Sequence, residues 1–125
     1  MPQRDPGVYL EDIEYYADAA VRFVAGYTLE QYLADEKTRA AVERVLEICG
    51  EAMNGLYKVA PSIAEKIPHS RDVIGFRNIL AHGYAEIDHN KVHDIAVRHA
   101  PELLAAVRDA LKQFPEPAGE HGHSM

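Results

Sequence analysis

The sequence predicts an all-α protein, an up-and-down helical bundle of four to five main helices. Apolar residues recur at three- and four-residue steps in several long segments, which is the spacing of one helical face. No segment alternates apolar and polar residues as a half-buried strand does. At 125 residues the chain is long enough for one hydrophobic core, so we expect a single domain over residues 1–114.

An apolar face over residues 9–24 predicts the first helix. Gly26 follows as a typical helix stop, because glycine readily adopts the left-handed turn that ends a helix. Thr28 and Gln31 have the spacing of a capping box, in which a hydroxyl and a side-chain amide satisfy the first free N–H groups. This pair predicts a short helical segment through Tyr32.

The strongest helical pattern runs from Thr38 to Leu56 and predicts an amphipathic helix of about five turns. Gly50 and Gly55 interrupt this pattern. They either weaken the helix locally or allow another helix to approach closely. Pro61 then ends the region.

A second capping box is predicted at Ser62 and Glu65. Ser70 is predicted to cap the next helix, whose first turn contains Asp72, an acidic residue suited to the positive end of the helix dipole. We expect this helix to end near Gly83.

Asp88 is the predicted N-cap of the following helix. Pro101 predicts a kink or a fresh helix start, since proline has no N–H to donate. Apolar residues between Leu103 and Phe114 predict the last helix. The composition of residues 115–125 predicts a disordered tail.

The bulk properties predict a soluble cytoplasmic protein, because no segment resembles a membrane span or a signal peptide. Cys49 is the only cysteine, which excludes an intrachain disulfide. The formal charge of −7 disfavours binding of nucleic acid by electrostatics alone. Residues 1–51 contain 11 acidic residues against 5 Lys and Arg, whereas residues 52–99 contain 5 against 6. The middle segment is therefore the better candidate for contact with an anionic ligand.

The stretch R-N-I-L-A-H-G-Y, residues 77–84, carries the candidate site. On a helix with about 100° per residue, its polar side chains border one side of the helix. They are Arg77, Asn78, His82 and Tyr84.

These residue types suit cleavage of a phosphodiester without a metal or another cofactor. The fork of N–H donors on Arg77 matches phosphate oxygens and stabilises a pentacoordinate transition state. His82 is able to exchange a proton near neutral pH, and Asn78 is placed to orient either partner. This chemistry requires RNA, because the ribose 2′-hydroxyl is the nucleophile. An exposed ion-pairing arginine and a satisfied histidine at the same spacing stay open as the alternative.

The pattern Arg-Asn-x-x-x-His-x-Tyr resembles the signature of HEPN-superfamily ribonucleases, specifically the HepT-like toxins. Further similar segments are Y-L-E-D-I at residues 9–13, F-V-A-G-Y-T at 23–28 and R-V-L-E-I-C-G-E-A at 44–52. The similarity covers residues 9–114 in order. The chain departs from the family at His69, where tryptophan is common, and at Gly83, where a bulkier residue is expected.

The resemblance implies a homodimer, or a larger assembly, in which two copies of the motif form a composite cleft. One His82 then acts as base and the other as acid on an RNA substrate, with tRNA among the family's targets. The resemblance also implies a type VII-like toxin–antitoxin pair. Its antitoxin, an MntA-type minimal nucleotidyltransferase, transfers AMP to the tyrosine that matches Tyr84. Glu51 is a weaker candidate for a supporting polar group.

Other interpretations stay open. The chain is alternatively a non-catalytic helical interaction or nucleotide-binding subunit of a nucleotidyltransferase complex. His89 and His93 have a spacing compatible with metal binding, but they lack a third ligand and are predicted to be surface histidines. His121 and His123, in the predicted tail, are expected to bind metal only adventitiously. We therefore expect no metal site.

Overall fold

The computed structural model describes residues 5–82 and 86–114, and these residues form helices and short connections with no strand. This confirms the predicted all-α class. The seven helices are α1 Pro6–Val24, α2 Leu29–Ala34, α3 Glu36–Val59, α4 Pro61–Ala64, α5 Ser70–His82, α6 His89–Asp94 and α7 Ala100–Leu111. The predicted tail, residues 115–125, lies outside the described residues. Among the described helices, none is long and apolar enough to cross a membrane.

The long helices pack in the order α5, α3, α1, α7, so α3 and α1 form the centre of the bundle. Asp5 starts α1, because its carboxylate accepts a hydrogen bond from the Gly7 N–H at 2.9 Å. The core is made by the apolar faces that the sequence predicts. Its largest fully buried aliphatic side chains include Leu10, Ile13, Leu46, Met53, Leu56 and Leu103.

Helix α5 lies at the edge of the bundle and packs mainly against α3. Only Ser70, Val73 and Phe76 of its 13 residues are buried. Its opposite face is open, and the apolar side chain of Ile79 there is 41% exposed. The fold therefore presents the helix with the candidate site residues to solvent.

Gly50 and Gly55 allow close approach, as one of the two interpretations of α3 anticipates. A Cβ atom at Gly50 would lie 2.4 Å from the Val73 carbonyl oxygen and 2.6 Å from the Cβ of Arg77. A Cβ at Gly55 would lie 2.3 Å from the ring of Tyr9. Because α3 is continuous through both glycines, they set how near α5 and α1 lie without breaking the helix.

Two predicted helix starts are confirmed. The Thr28 hydroxyl accepts from the Gln31 N–H at 3.1 Å, and the Thr28 N–H donates to the Gln31 side chain at 2.9 Å. Asp88 accepts from the N–H groups of Asn90 and Lys91 at 3.1 and 3.3 Å. Both caps satisfy backbone donors that the first helical turn leaves without partners.

Three other helix starts differ from prediction. Helix α3 begins before Thr38, because Asp35 accepts the Thr38 N–H and acts as the cap. The capping box at Ser62 is wrong: Ser62 lies inside α4, which has no side-chain cap. Ser70 is the first residue of α5, and its hydroxyl hydrogen-bonds with the Tyr57 hydroxyl at 3.0 Å.

A π-helical turn over Ile95–His99 connects α6 to α7. The Ala100 N–H bonds to the carbonyl of Ile95, five residues back, and Pro101 then lies in the first turn of α7. This agrees with the predicted start of a new helix at Pro101, since proline is tolerated in the first turn, where an N–H has no helical partner. The wider turn shifts the residues that follow around the helix axis.

Cys49 is expected to be inert to thiol reagents in the folded protein. Its side chain is buried in α3, and this burial raises the pKa of the thiol to about 12. At pH 8 the reactive thiolate is therefore scarce and inaccessible. We expect a chromogenic disulfide reagent to modify Cys49 only in denaturant. Stoichiometric labelling within seconds in native buffer would contradict this placement.

Candidate active site

Arg77 projects from α5 toward α3 and forms an ion pair there with the carboxylate of Glu51. The Nε and Nη2 atoms of Arg77 donate to the two Glu51 oxygens at 3.4 and 3.3 Å. Gly50 positions this pair, because its missing side chain lets the Arg77 backbone lie directly over α3. The Arg77 side chain keeps 26% of its surface exposed and Glu51 keeps 60%, so the pair lies at the solvent boundary.

The guanidinium of Arg77 retains donors for a ligand. An arginine has five N–H donors. Glu51 engages one on Nε and one on Nη2, and the side-chain oxygen of Asn78 engages one on Nη1 at 3.1 Å. One N–H on each terminal nitrogen remains, so the guanidinium still has two donors to offer a phosphate.

His82 is the last residue of α5 and is exposed. It lies five residues after Arg77, which places it about 7.5 Å further along the helix axis and about 140° around it. Asn78 is exposed between them. Tyr84, the candidate modification site, lies outside the described residues. The structure therefore brings Glu51, Arg77 and Asn78 into contact, and His82 follows five residues after Arg77 on the same helix.

The chemistry available here is anion binding next to a proton-exchanging group. A guanidinium held by a carboxylate has its position fixed before a ligand arrives, which reduces the cost of orienting it. Glu51 also offsets part of the positive charge of Arg77, so an incoming phosphate meets a directed donor pair rather than a strongly basic patch. This arrangement is consistent with the acidic character of the chain.

His89 and His93 are half-buried rather than fully exposed. The Nδ1 atom of His89 lies 3.1 Å from a carboxylate oxygen of Glu43. The Nε2 atom of His93 lies 3.5 Å from the carbonyl oxygen of Tyr27, and its ring packs on Tyr32 with centroids 5.1 Å apart. Each histidine has its own neighbours, so the expected surface placement is replaced by a packing role between α6 and the α2–α3 region.

Sequence reasoning missed a second group of titratable side chains at the other end of α5. His69, Asp72 and His99 lie together near the start of that helix. The signal in the sequence was His69, a departure from the pattern that the family resemblance implies. His99 lies 30 residues later and shows no spacing pattern that connects it to His69.

The chain is similar to ribonucleases over most of its length. The protein family described as "Ribonuclease HepT-like" matches residues 13–110. "Putative RNase MJ0125" from Methanocaldococcus jannaschii is 31% identical over 118 residues, which cover 93% of this chain and 99% of that protein. "Putative RNase TTE0752" from Caldanaerobacter subterraneus is 28% identical over 110 residues, which cover 88% of this chain and 97% of that protein.

A further relative carries the family name itself. "Probable ribonuclease HepT" from Thermococcus cleftensis is 35% identical over 80 residues, which cover 64% of this chain and 72% of that protein. No solved structure matches the chain significantly. The matched region, residues 13–110, includes both α3 and α5.

Proposed function

This chain belongs to the HepT-like ribonuclease family, and we propose from that premise that it is a metal-independent endoribonuclease that uses Arg77 and His82. Membership makes it an RNA-cleaving enzyme. The observation that carries the assignment of residues is the pair of N–H donors left on Arg77 after Glu51 and Asn78 have fixed its orientation.

The proposed reaction is internal transesterification. An imidazole of His82 takes the proton of the ribose 2′-hydroxyl, and the 2′-oxygen attacks the adjacent phosphorus. Arg77 stabilises the charge that develops on the phosphate oxygens. The bond from phosphorus to the 5′-oxygen breaks, and that oxygen takes a proton from a second imidazole. The products are a 2′,3′-cyclic phosphate and a 5′-hydroxyl.

Two imidazoles require two copies of the chain. One His82 is not able to lie on both sides of a phosphate at the same time, whereas a homodimer joined near α5 supplies one imidazole for each proton transfer. The open face of α5 and the exposed side chain of Ile79 support an interface there. Burial of that face is favourable because it removes apolar surface from water. Sedimentation of the purified chain as a monomer at every concentration that supports cleavage would exclude this arrangement.

Cleavage is expected to survive excess EDTA. The test uses the purified chain with an RNA oligonucleotide and an identical oligonucleotide that carries 2′-deoxyribose at the cleaved position. The RNA should give cyclic-phosphate and 5′-hydroxyl ends, and the deoxy-substituted strand should stay intact because it lacks the nucleophile. Cleavage of the deoxy strand would overturn the mechanism. Loss of RNA cleavage on chelation, at a temperature where the protein remains folded, would also overturn it.

We further propose that the chain is the toxin of a type VII-like pair, with tRNA among its substrates, and that its partner is an MntA-type nucleotidyltransferase. Transfer of AMP to the hydroxyl of Tyr84 adds a bulky anion two residues after His82, where it competes with the substrate phosphate for Arg77. We expect incubation with the partner and ATP to add AMP to the chain and to abolish cleavage.

Tyr84→Phe is the matched variant for this prediction, since it removes only the acceptor hydroxyl. It should cleave RNA normally and stay active after incubation with the partner and ATP. Mass spectrometry of the intact chain reports the transfer. A chain that receives AMP but never cleaves RNA would instead be a non-catalytic subunit of the nucleotidyltransferase complex.

A further inference from the structure

Two histidines outside the candidate active site stack on each other near the start of α5. The rings of His69 and His99 are parallel to within 2°, with centroids 4.0 Å apart. His69 directly precedes α5, and His99 is the last residue of the π-helical turn. Asp72 completes the group: its Oδ2 atom lies 3.6 Å from Nδ1 of His69 and 3.6 Å from Nδ1 of His99.

These spacings are those of ligands around a common ion. A separation of 3.6 Å between Nδ1 and Oδ2 is too long for a good hydrogen bond. Zinc binds imidazole nitrogen and carboxylate oxygen at roughly 2.0–2.2 Å with tetrahedral geometry, so its ligand atoms lie roughly 3.3–3.6 Å from one another. One ligand atom from each of the three residues lies within 4.8 Å of the other two.

Glu102 orients His69 for this role. The Nε2 atom of His69 lies 2.6 Å from Oε1 of Glu102. An ionised carboxylate only accepts hydrogen bonds, so Nε2 of His69 donates to Glu102 and Nδ1 is the nitrogen that faces Asp72. A carboxylate behind a ligating histidine is a regular feature of protein zinc sites.

Two further observations concern the group. The Nδ1 atom of His99, like that of His89, is buried without a hydrogen-bond partner, which is costly for a polar atom unless something else satisfies it. His69 is the only described non-glycine residue with a positive φ, at 64°. Such a conformation is strained by about 1 kcal/mol or more and often occurs where a side chain must be aimed at a ligand.

The charge around the group also favours a cation. Asp72 and Glu102 contact the imidazoles directly, and Oδ2 of Asp94 lies 3.9 Å from Nε2 of His99. Two arginines are also close: the Nη1 atom of Arg98 lies 3.6 Å from Asp94, and the guanidinium of Arg71 lies over the ring of Tyr57, 5.1 Å from its centroid. The lone pair of each Nδ1 lies in its ring plane, so one ion bound by both imidazoles requires rotation of one ring out of the stacked arrangement, after which the ion would satisfy both rings and Asp72.

We propose that His69, Asp72 and His99 bind one divalent transition-metal cation, with Zn²⁺ as the best match for two imidazoles and a carboxylate. Water fills the fourth position. The ion joins the start of α5 to the π-helical turn and so fixes an edge helix to the α6–α7 segment. Asp72 lies about 7.5 Å before Arg77 and about 15 Å before His82 along the helix axis, and none of the three ligands contacts either residue, so we place the ion outside the cleavage site and the proposal does not depend on the proposed function.

The test is calorimetric titration of Zn²⁺ into the full, chelator-treated chain carrying His121→Ala and His123→Ala, which removes the tail histidines. We expect one saturable equivalent of zinc. His69→Gln and His99→Gln should each abolish that equivalent, and Glu102→Gln should weaken it by about 10- to 100-fold. His89→Gln is the matched control, since His89 also lies beside a carboxylate but outside the group, and it should bind as the parent does.

Thermal unfolding provides a second readout that separates binding from folding. Saturating Zn²⁺ should raise Tm by several degrees in the parent and leave Tm unchanged in His99→Gln. Should His99→Gln fail to fold, Asp72→Asn replaces it, because Asp72 is exposed and its amide keeps the shape of the side chain. Absence of a saturable equivalent in the parent, or binding that persists in both histidine variants, would overturn the proposal. RNA cleavage in EDTA well below the apo-protein Tm should be unaffected.

Discussion

Arg77→Ala is expected to reduce RNA cleavage by about 10²- to 10³-fold, the usual loss when one donor to a developing oxyanion is removed. The Arg77 side chain is 26% exposed, and its charged group pairs with exposed Glu51 at the solvent boundary rather than with the core. The loss should therefore appear in the cleavage rate and leave Tm nearly unchanged.

His82→Ala is expected to reduce the rate of RNA cleavage by about 10²- to 10⁴-fold, because it removes a proton-transfer group. In cells, expression of the parent chain is expected to slow growth, and both variants should relieve that effect.

Glu51→Gln tests how much the ion pair with Glu51 contributes to the activity of Arg77. It keeps the shape of the side chain and one acceptor while removing the charge that faces Arg77. Exposed ion pairs are weak, so we expect cleavage to fall by no more than about fivefold. The double variant Arg77→Ala, His82→Ala should lose little beyond the worse single variant, because groups that act on one transition state are not additive. Equal cleavage by the parent and both alanine variants would exclude this pair as the catalytic residues.

Gly50→Ala is expected to destabilise the protein by about 1–3 kcal/mol despite the better helix propensity of alanine. The new methyl group would lie 2.4 Å from the Val73 carbonyl oxygen, a backbone atom that moves only if α5 moves. Because Arg77 sits on the same contact, the displacement should also lower cleavage. Urea denaturation followed by circular dichroism measures the stability.

Gly75→Ala is the matched control on the opposite side of this interface. It lies on the open face of α5, where a Cβ atom meets nothing within 4 Å. The substitution should therefore stabilise the helix by about 0.5–1 kcal/mol, the usual advantage of alanine over glycine. Similar destabilisation by both substitutions would show that the contact between α3 and α5 does not account for the effect at Gly50.

The sequence was sufficient to predict the long helices, because their apolar residues repeat at helical spacing and that repeat is what the core requires. It also predicted the caps at Thr28 and Asp88, where one side chain reaches a nearby N–H. The predicted cap at Ser62 was wrong because of the position of Ser62 in the helix. Once Pro61 begins α4, Ser62 is already inside the helix, so its hydroxyl no longer precedes the free N–H groups.

The candidate site was only partly predictable. Arg77 and His82 share one helix, so their relation follows from periodicity. The contact between Glu51 and Arg77 joins residues 26 positions apart, and periodicity does not reveal it; the similarity of the segment around Glu51 to the HepT-like family did suggest that residue. The pairing of His69 with His99 depends on the phase of the π-helical turn, which nothing in the apolar pattern predicts.

The shallow anchoring of α5 has a consequence for inactivation. Two buried apolar side chains, Val73 and Phe76, hold this helix, whereas α3 contributes seven to the core. Segments held by few buried apolar side chains unfold locally at a lower free-energy cost than global unfolding of the domain. As the denaturant concentration rises, RNA cleavage should therefore be lost while α1, α3 and α7 remain helical. Proteolytic cleavage within α5 should likewise inactivate the enzyme while the rest of the bundle stays folded.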